Sequence, residues 1–349
     1  MHAVYIGVVK DLTTRMVSGP ASFACHIDPE KRKAINDLLP KIKPPHRVSR
    51  PLKSLDDMPN WKAHEWSMWL FYYSVPVLEG LLPHACFQHW GNLVYGISLL
   101  VGSRVTPDEI EVARRNLESF CLEVKDWYGE RSLNVHLLRH FPEFVKMWGP
   151  LPSFAMYPFE SFNHDMAGYV KGSQHVAQQI CKAYGRAAMT KLRAGIQEGT
   201  SEDLTEYDML LSWELSDYDV PEECINRDLV LRPGTFYQVC IRKGVKFTCK
   251  EYRKGQNAKR NSSYVSTRRQ TAGQILAFWE LENNSEVLAI LREVELYHPF
   301  GLEHVWRRRI TERTRVVQMT EIYEPMIFIE TKTSSYYITF LNATENVAS

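Results

Sequence analysis

Two histidines stand four residues apart in Asn134-Val135-His136-Leu137-Leu138-Arg139-His140. A lone carboxylate stands among aromatic residues in Tyr157-Pro158-Phe159-Glu160-Ser161-Phe162-Asn163-His164. Positions i and i+4 share one face of a helix, so the two imidazoles have the spacing of a metal-binding pair. The plainer reading is that His136 and His140 are packed or hydrogen-bonded. Glu160 is the first candidate for chemistry, with Asp165 as the fallback. Its plainer reading is a carboxylate that the helix dipole favours near an N-terminus.

These residues need elements to hold them. An apolar helix from about Leu133 to Trp148 carries both histidines and ends at Gly149-Pro150, and Pro142 inside it predicts a kink or break. Helical sequence resumes over 158–190. Upstream, 61–148 reads as a bundle of about four helices. Thr106-Pro107-Asp108-Glu109 is a capping box, and Asp28-Pro29-Glu30 opens a short helix to about Leu39. Residues 1–17 read as a helix, or as a strand end running into one. Between 198 and 223 the chain is polar and acidic, a linker or short helices. Beyond Leu229 the pattern alternates in short runs, giving six to eight strands in a small antiparallel barrel or sandwich.

Composition sets the outer limits. Among 349 residues, 44% are apolar and 24% charged, as in ordinary globular proteins, and the length suggests two domains. Forty-two basic residues against forty-one acidic ones leave a net charge of +1, so only local patches can bear on a nucleic-acid partner. Seven scattered cysteines without a Cys-x-x-Cys suggest reduced thiols in an intracellular protein, nuclear or cytoplasmic. Nothing predicts a signal peptide or a membrane span.

The ordered set of motifs resembles the CACTA/EnSpm-type DDE transposases. The likeness starts at Met1-His2 with Ile6-Gly7-Val8-Val9-Lys10 and continues at Trp61-Lys62-Ala63-His64-Glu65, Leu70-Phe71-Tyr72-Tyr73 and Leu81-Leu82-Pro83. It resumes at Asn134–His140, Gly149-Pro150-Leu151 and Tyr157–Asn163. The resemblance implies an α+β chain: an incomplete RNase H-like remnant over 1–190 with an all-α insertion at about 18–150. A linker at 191–228 and a β-rich domain at 229–349 follow. In the intact family three acidic residues bind two Mg²⁺ ions for DNA strand cleavage and transfer. Glu160 matches the third acid, and His2 sits beside the place of the second. The other two acids have no counterpart in the 349 residues, and Asp11 comes too late to match. One carboxylate cannot hold two hydrated cations, so no cofactor and no nuclease activity are expected of the chain as it stands.

The resemblance leaves the chain as the C-terminal part of a transposase, from a truncated gene model or a decayed copy, or as a domesticated binding module. Related families pair such histidines with a Cys-x-x-Cys that is missing here. Cys25-His26 matches it poorly, and zinc is not expected. Basic residues of the β-rich part, Arg242, Lys243, Lys246, Lys250, Arg253, Lys254, Arg268 and Arg269, are candidate phosphate contacts for DNA, although edge strands also carry such charges to block aggregation. The aromatic set Trp61, Trp66, Trp69, Phe71, Tyr72 and Tyr73 reads as core before it reads as a base-stacking platform. The helices near 5–17 and 158–185 are expected to expose an apolar surface, to be met by a second copy or a partner protein.

Overall fold

The computed structural model describes residues 1–199, 209–214, 234–252, 259–268, 271–282 and 286–341. The first helix begins as a π-helical stretch, Ala3–Val9, and runs straight into α1 (Lys10–Ser18). Val4, Val8, Leu12 and Met16 recur every four residues and are buried. Their cover is an aromatic helix built from α3 (Ala63–Met68), a π-helical turn Trp69–Tyr73 and α4 (Ser74–Leu78). Trp69 Nε1 donates to Thr13 Oγ1 at 3.2 Å, and Tyr5 meets Phe71 edge-on. The expectation of an uncovered apolar face over 5–17 is therefore corrected: Trp69, Phe71 and their neighbours already fill it. All six aromatics of the 61–73 set are buried in this core.

α2 (Pro29–Leu38) starts where Asp28 accepts a hydrogen bond from the Lys31 amide at 2.9 Å. α5 (His84–Leu100) and α6 (Pro107–Tyr128) form an antiparallel pair, with the Thr106–Glu109 capping box in place and Gly129 at φ +86° ending α6. Gly96 lets them approach: a Cβ there would lie 2.7 Å from Leu117 Cγ. α7 (Leu133–Leu137) and α8 (Phe141–Trp148) are separate helices joined by a 3₁₀ turn, Leu138–His140. Pro142 opens α8, where its missing N–H costs nothing, and the break expected at this proline lies just ahead of it. α9 (Tyr157–Gly168) and α10 (Val176–Gly199) follow.

The scattered cysteines do not all remain thiols. Cys25, in the loop before α2, and Cys86, in the first turn of α5, form a disulfide with Cα atoms 5.7 Å apart. A span of 61 residues gives no spacing signal, so the fold alone creates this pair. Cys121, Cys240 and Cys249 are buried thiols, and burial pushes the first up to about 11.

Among the described residues, ten strands make one curled antiparallel sheet. They are β1 (Met209–Glu214), β2 (Gly234–Arg242), β3 (Val245–Thr248), β4 (Tyr264–Thr267), β5 (Ala272–Leu281), β6 (Val287–Tyr297), β7 (Val305–Gln318), β8 (Ile322–Pro325), β9 (Ile327–Glu330) and β10 (Ser335–Ile338). β5, β6, β7, β10 and β9 pair in that order. β8 runs into β9 through Met326, while β4 pairs with β8 on one side and β5 on the other. The path thus returns to its start, which is the barrel alternative. β1 lies in the polar stretch expected to be linker or short helices. Residues 283–285, between β5 and β6, lie outside the described residues.

Barrel and helices share an apolar core. Leu302, Val305, Ile327, Ile329, Tyr336 and Ile338 pack into the same buried cluster as α1 and α3–α8. Polar groups fix the register of the junction. His304 Nε2 pairs with the Phe71 carbonyl at 2.9 Å, Arg47 with Glu324 at 3.0 Å, and His46 with Ser262 at 2.9 Å.

Candidate functional site

Three stretches far apart in sequence meet at one corner. His2 stands immediately before the opening π-helical stretch, and its Nδ1 lies 3.3 Å from Glu160 Oε1, in the first turn of α9. Both side chains are about half exposed, at 54% and 51%. Burial lowers the pKa of the neighbouring Met1 amine, while the Glu160 charge acts in the opposite direction. The carboxylate therefore looks onto residues 1 and 2 together.

The third stretch docks from α7. A Cβ on Gly7 would fall 2.6 Å from Asn134 Cγ, so the Asn134 side chain lies directly on the glycine. Only a residue without a side chain permits that approach. Behind it, Cys121 donates from Sγ to the Val135 carbonyl at 3.1 Å, tying α7 to α6. Asn134 and Gly7 were legible only as parts of motifs; the signal for their contact was a glycine inside an otherwise apolar helical run.

His136 and His140 do come together. Their Nε2 atoms are 3.4 Å apart, with rings edge to face at 5.2 Å between centroids, on an exposed surface. Among the described residues no group of three or more His, Cys, Asp or Glu could hold a metal ion. Asp165 lies on exposed surface of α9, one and a half turns beyond Glu160. Cys25 is consumed by its disulfide.

The basic candidates divide by what each touches. Arg242 donates to the Ile322 carbonyl at 2.6 Å, to the Met319 carbonyl, and lies over Phe247, so its fork clamps β2 to the β7–β8 connection. Lys246 reaches the Tyr252 hydroxyl at 3.0 Å and sits over that ring. Lys243 and Gly244 have φ of +50° and +72° and form the tip of the β2–β3 hairpin, with Lys243 exposed. Lys250 is half-buried and Arg268 is exposed. Arg253, Lys254 and Arg269 lie outside the described residues. Among the described residues, the exposed basic candidates are Lys243 at the β2–β3 hairpin tip and Arg268 in the turn after β4, whose amide donates to the Glu321 carbonyl beside the one that Arg242 holds.

No helix among the described residues is long and apolar enough to cross a membrane. No protein-family model, no curated protein and no solved structure matches the chain.

Proposed function

We propose that the chain is transposase-derived, corresponding to the C-terminal part of a CACTA/EnSpm-like DDE enzyme, and that it performs no metal-dependent strand cleavage by itself. One observation carries this reading. His2 and Glu160, 158 positions apart, are the two residues that the resemblance sets beside the metal site, and they lie 3.3 Å from each other. A carboxylate placed just ahead of Met1, as in the intact family, would face Glu160 across that corner. Hard divalent cations take oxygen ligands, and two carboxylates looking at each other are the minimum cradle for a Mg²⁺ ion that also binds phosphate oxygens. Glu160 alone, half exposed and beside an imidazole, offers one or two oxygens and a cationic neighbour once His2 is protonated. That arrangement holds a hydrated cation no better than any surface carboxylate.

Remaining activity would then be binding of DNA or of a protein partner. Titration calorimetry with Mg²⁺ and Mn²⁺ tests the metal half: only weak, millimolar binding is expected, and micromolar affinity lost in Glu160→Ala would refute it. Fluorescence anisotropy with duplex DNA tests the other half, since phosphate contacts by Lys243, Lys246 and Arg268 would make binding fall steeply with salt. Absence of binding at low salt would remove DNA as the partner.

A further inference from the structure

Among the described helices, α9 and α10 differ from all the others. Among their described side chains not one is buried, although α10 is 24 residues long. They touch each other, with Phe162 edge-on to Tyr184 at 5.7 Å, and α9 reaches the body through Glu160 and His2. A helix in water draws most of its stability from an apolar face packed on something else. Here that face is open. Nine of the thirteen large exposed apolar side chains among the described residues fall between 147 and 189, including Trp148 at 69%, Phe159 at 61% and Tyr184 at 49% exposure. Phe159 and Phe162 are three residues apart on α9 and so share a face.

We propose that a second copy of this chain covers this surface, in a two-fold dimer that lays α9 of one protomer along α10 of the other. Two features select that occupant. The first is area. Aromatic side chains present about 150–250 Å² each, so the exposed parts of Trp148, Phe159, Phe162 and Tyr184 amount to roughly 400–500 Å². Met147, Met156 and Met189 raise this toward about 800 Å², one side of a standard interface. The second is charge. The acids of α9 are Glu160 and Asp165, with no Lys or Arg, while α10 carries Lys182 and Arg186 and has no acid before Glu198. A two-fold axis sets the same patch against itself, so each acidic helix meets a basic one twice over. This inference stands on the exposed hairpin and does not depend on the transposase-derived reading.

The test is the mass of the full chain in solution by sedimentation equilibrium. The wild type should sediment at about twice the 40.6 kDa of one chain. Trp148→Glu with Phe159→Glu, both at side chains already facing solvent, should raise the dissociation constant at least about tenfold. Glu160→Lys with Asp165→Lys, and separately Lys182→Glu with Arg186→Glu, should each be monomeric alone and dimerise when mixed, because only the mixture opposes unlike charges at both contacts. In the wild type, carbodiimide should join Lys182 to Asp165 between ¹⁴N- and ¹⁵N-labelled protomers, a readout that needs no variant to fold. A monomeric wild type, a dimer indifferent to Trp148→Glu and Phe159→Glu, a mixture that stays monomeric, or cross-links only within single protomers would each overturn the proposal.

Discussion

Acidification should pull the barrel away from the helices through one residue. His304 is fully enclosed at the junction, pairs with the Phe71 carbonyl, and lies 6.2 Å from the Tyr72 ring. Burial lowers its pKa to about 4, with His298 adding to the shift and the bond to Phe71 opposing it. In the unfolded chain the same imidazole titrates near 6.5. Below that value the unfolded state takes up a proton that the native state refuses until about pH 4. Stability from this group is therefore intact above about pH 6.5 and drains as pH falls toward 4. The slope approaches 1.36 kcal/mol per unit, and the loss reaches roughly 2.5 kcal/mol by pH 4.5. His64 and His89, also lowered by burial, add losses of the same sign. Glu79 and Glu324, raised by burial, act oppositely, since their stabilising proton is lost as pH rises. A comparison with His304→Gln cancels these backgrounds, because glutamine can still donate to Phe71 and does not titrate. Urea unfolding of both proteins from pH 7.5 to 4.5 should show the wild type losing about 2–3 kcal/mol relative to the variant. Parallel pH curves for the two proteins would mean instead that His304 protonates equally in the folded and unfolded states.

Further outcomes follow from other contacts. Gly7→Ala should destabilise by about 1–3 kcal/mol because its methyl meets Asn134, even though alanine is the better helix former; pairing it with Asn134→Gly should recover much of the loss in chemical denaturation. Glu293 is 4% exposed, accepts from Thr271 at 2.8 Å and from Arg313 at 2.9 Å, so Glu293→Gln should cost about 1.5–3 kcal/mol and loosen the β6–β7 amides in hydrogen exchange. Arg242→Lys keeps the charge but loses the fork that spans the Met319 and Ile322 carbonyls; a melting temperature lowered by several degrees is expected, with salt-dependent DNA binding unchanged if Arg242 is purely structural.

Local chemistry was the legible part of the fold. Asp28-Pro29 and Thr106-Pro107 announce α2 and α6 because a cap and a first-turn proline act within four residues. The alternation beyond Leu229 made most of the strands readable without their pairing. β4, only four residues long, was not, because it exists through its pairing with β5 and β8. The Cys25–Cys86 bond and the joint core of barrel and bundle were equally hidden, since both arise from contacts across 60 to 300 positions. At the site, neither His2 nor Glu160 carries a spacing that predicts the other. What brought both residues forward was the order of several motifs, and the closeness of the two side chains is a property of the fold. The i, i+4 histidines were foreseeable as neighbours because helical geometry fixes that distance, whereas the clamp made by Arg242 was not, since its partners lie some 80 residues downstream.

A nicking assay with the pure 349-residue chain on supercoiled plasmid, with and without Mg²⁺ or Mn²⁺, tests whether Glu160 by itself supports strand cleavage. The single carboxylate at the His2–Glu160 corner predicts no conversion above the metal-free background. Metal-dependent nicking that disappears in Glu160→Ala would contradict it.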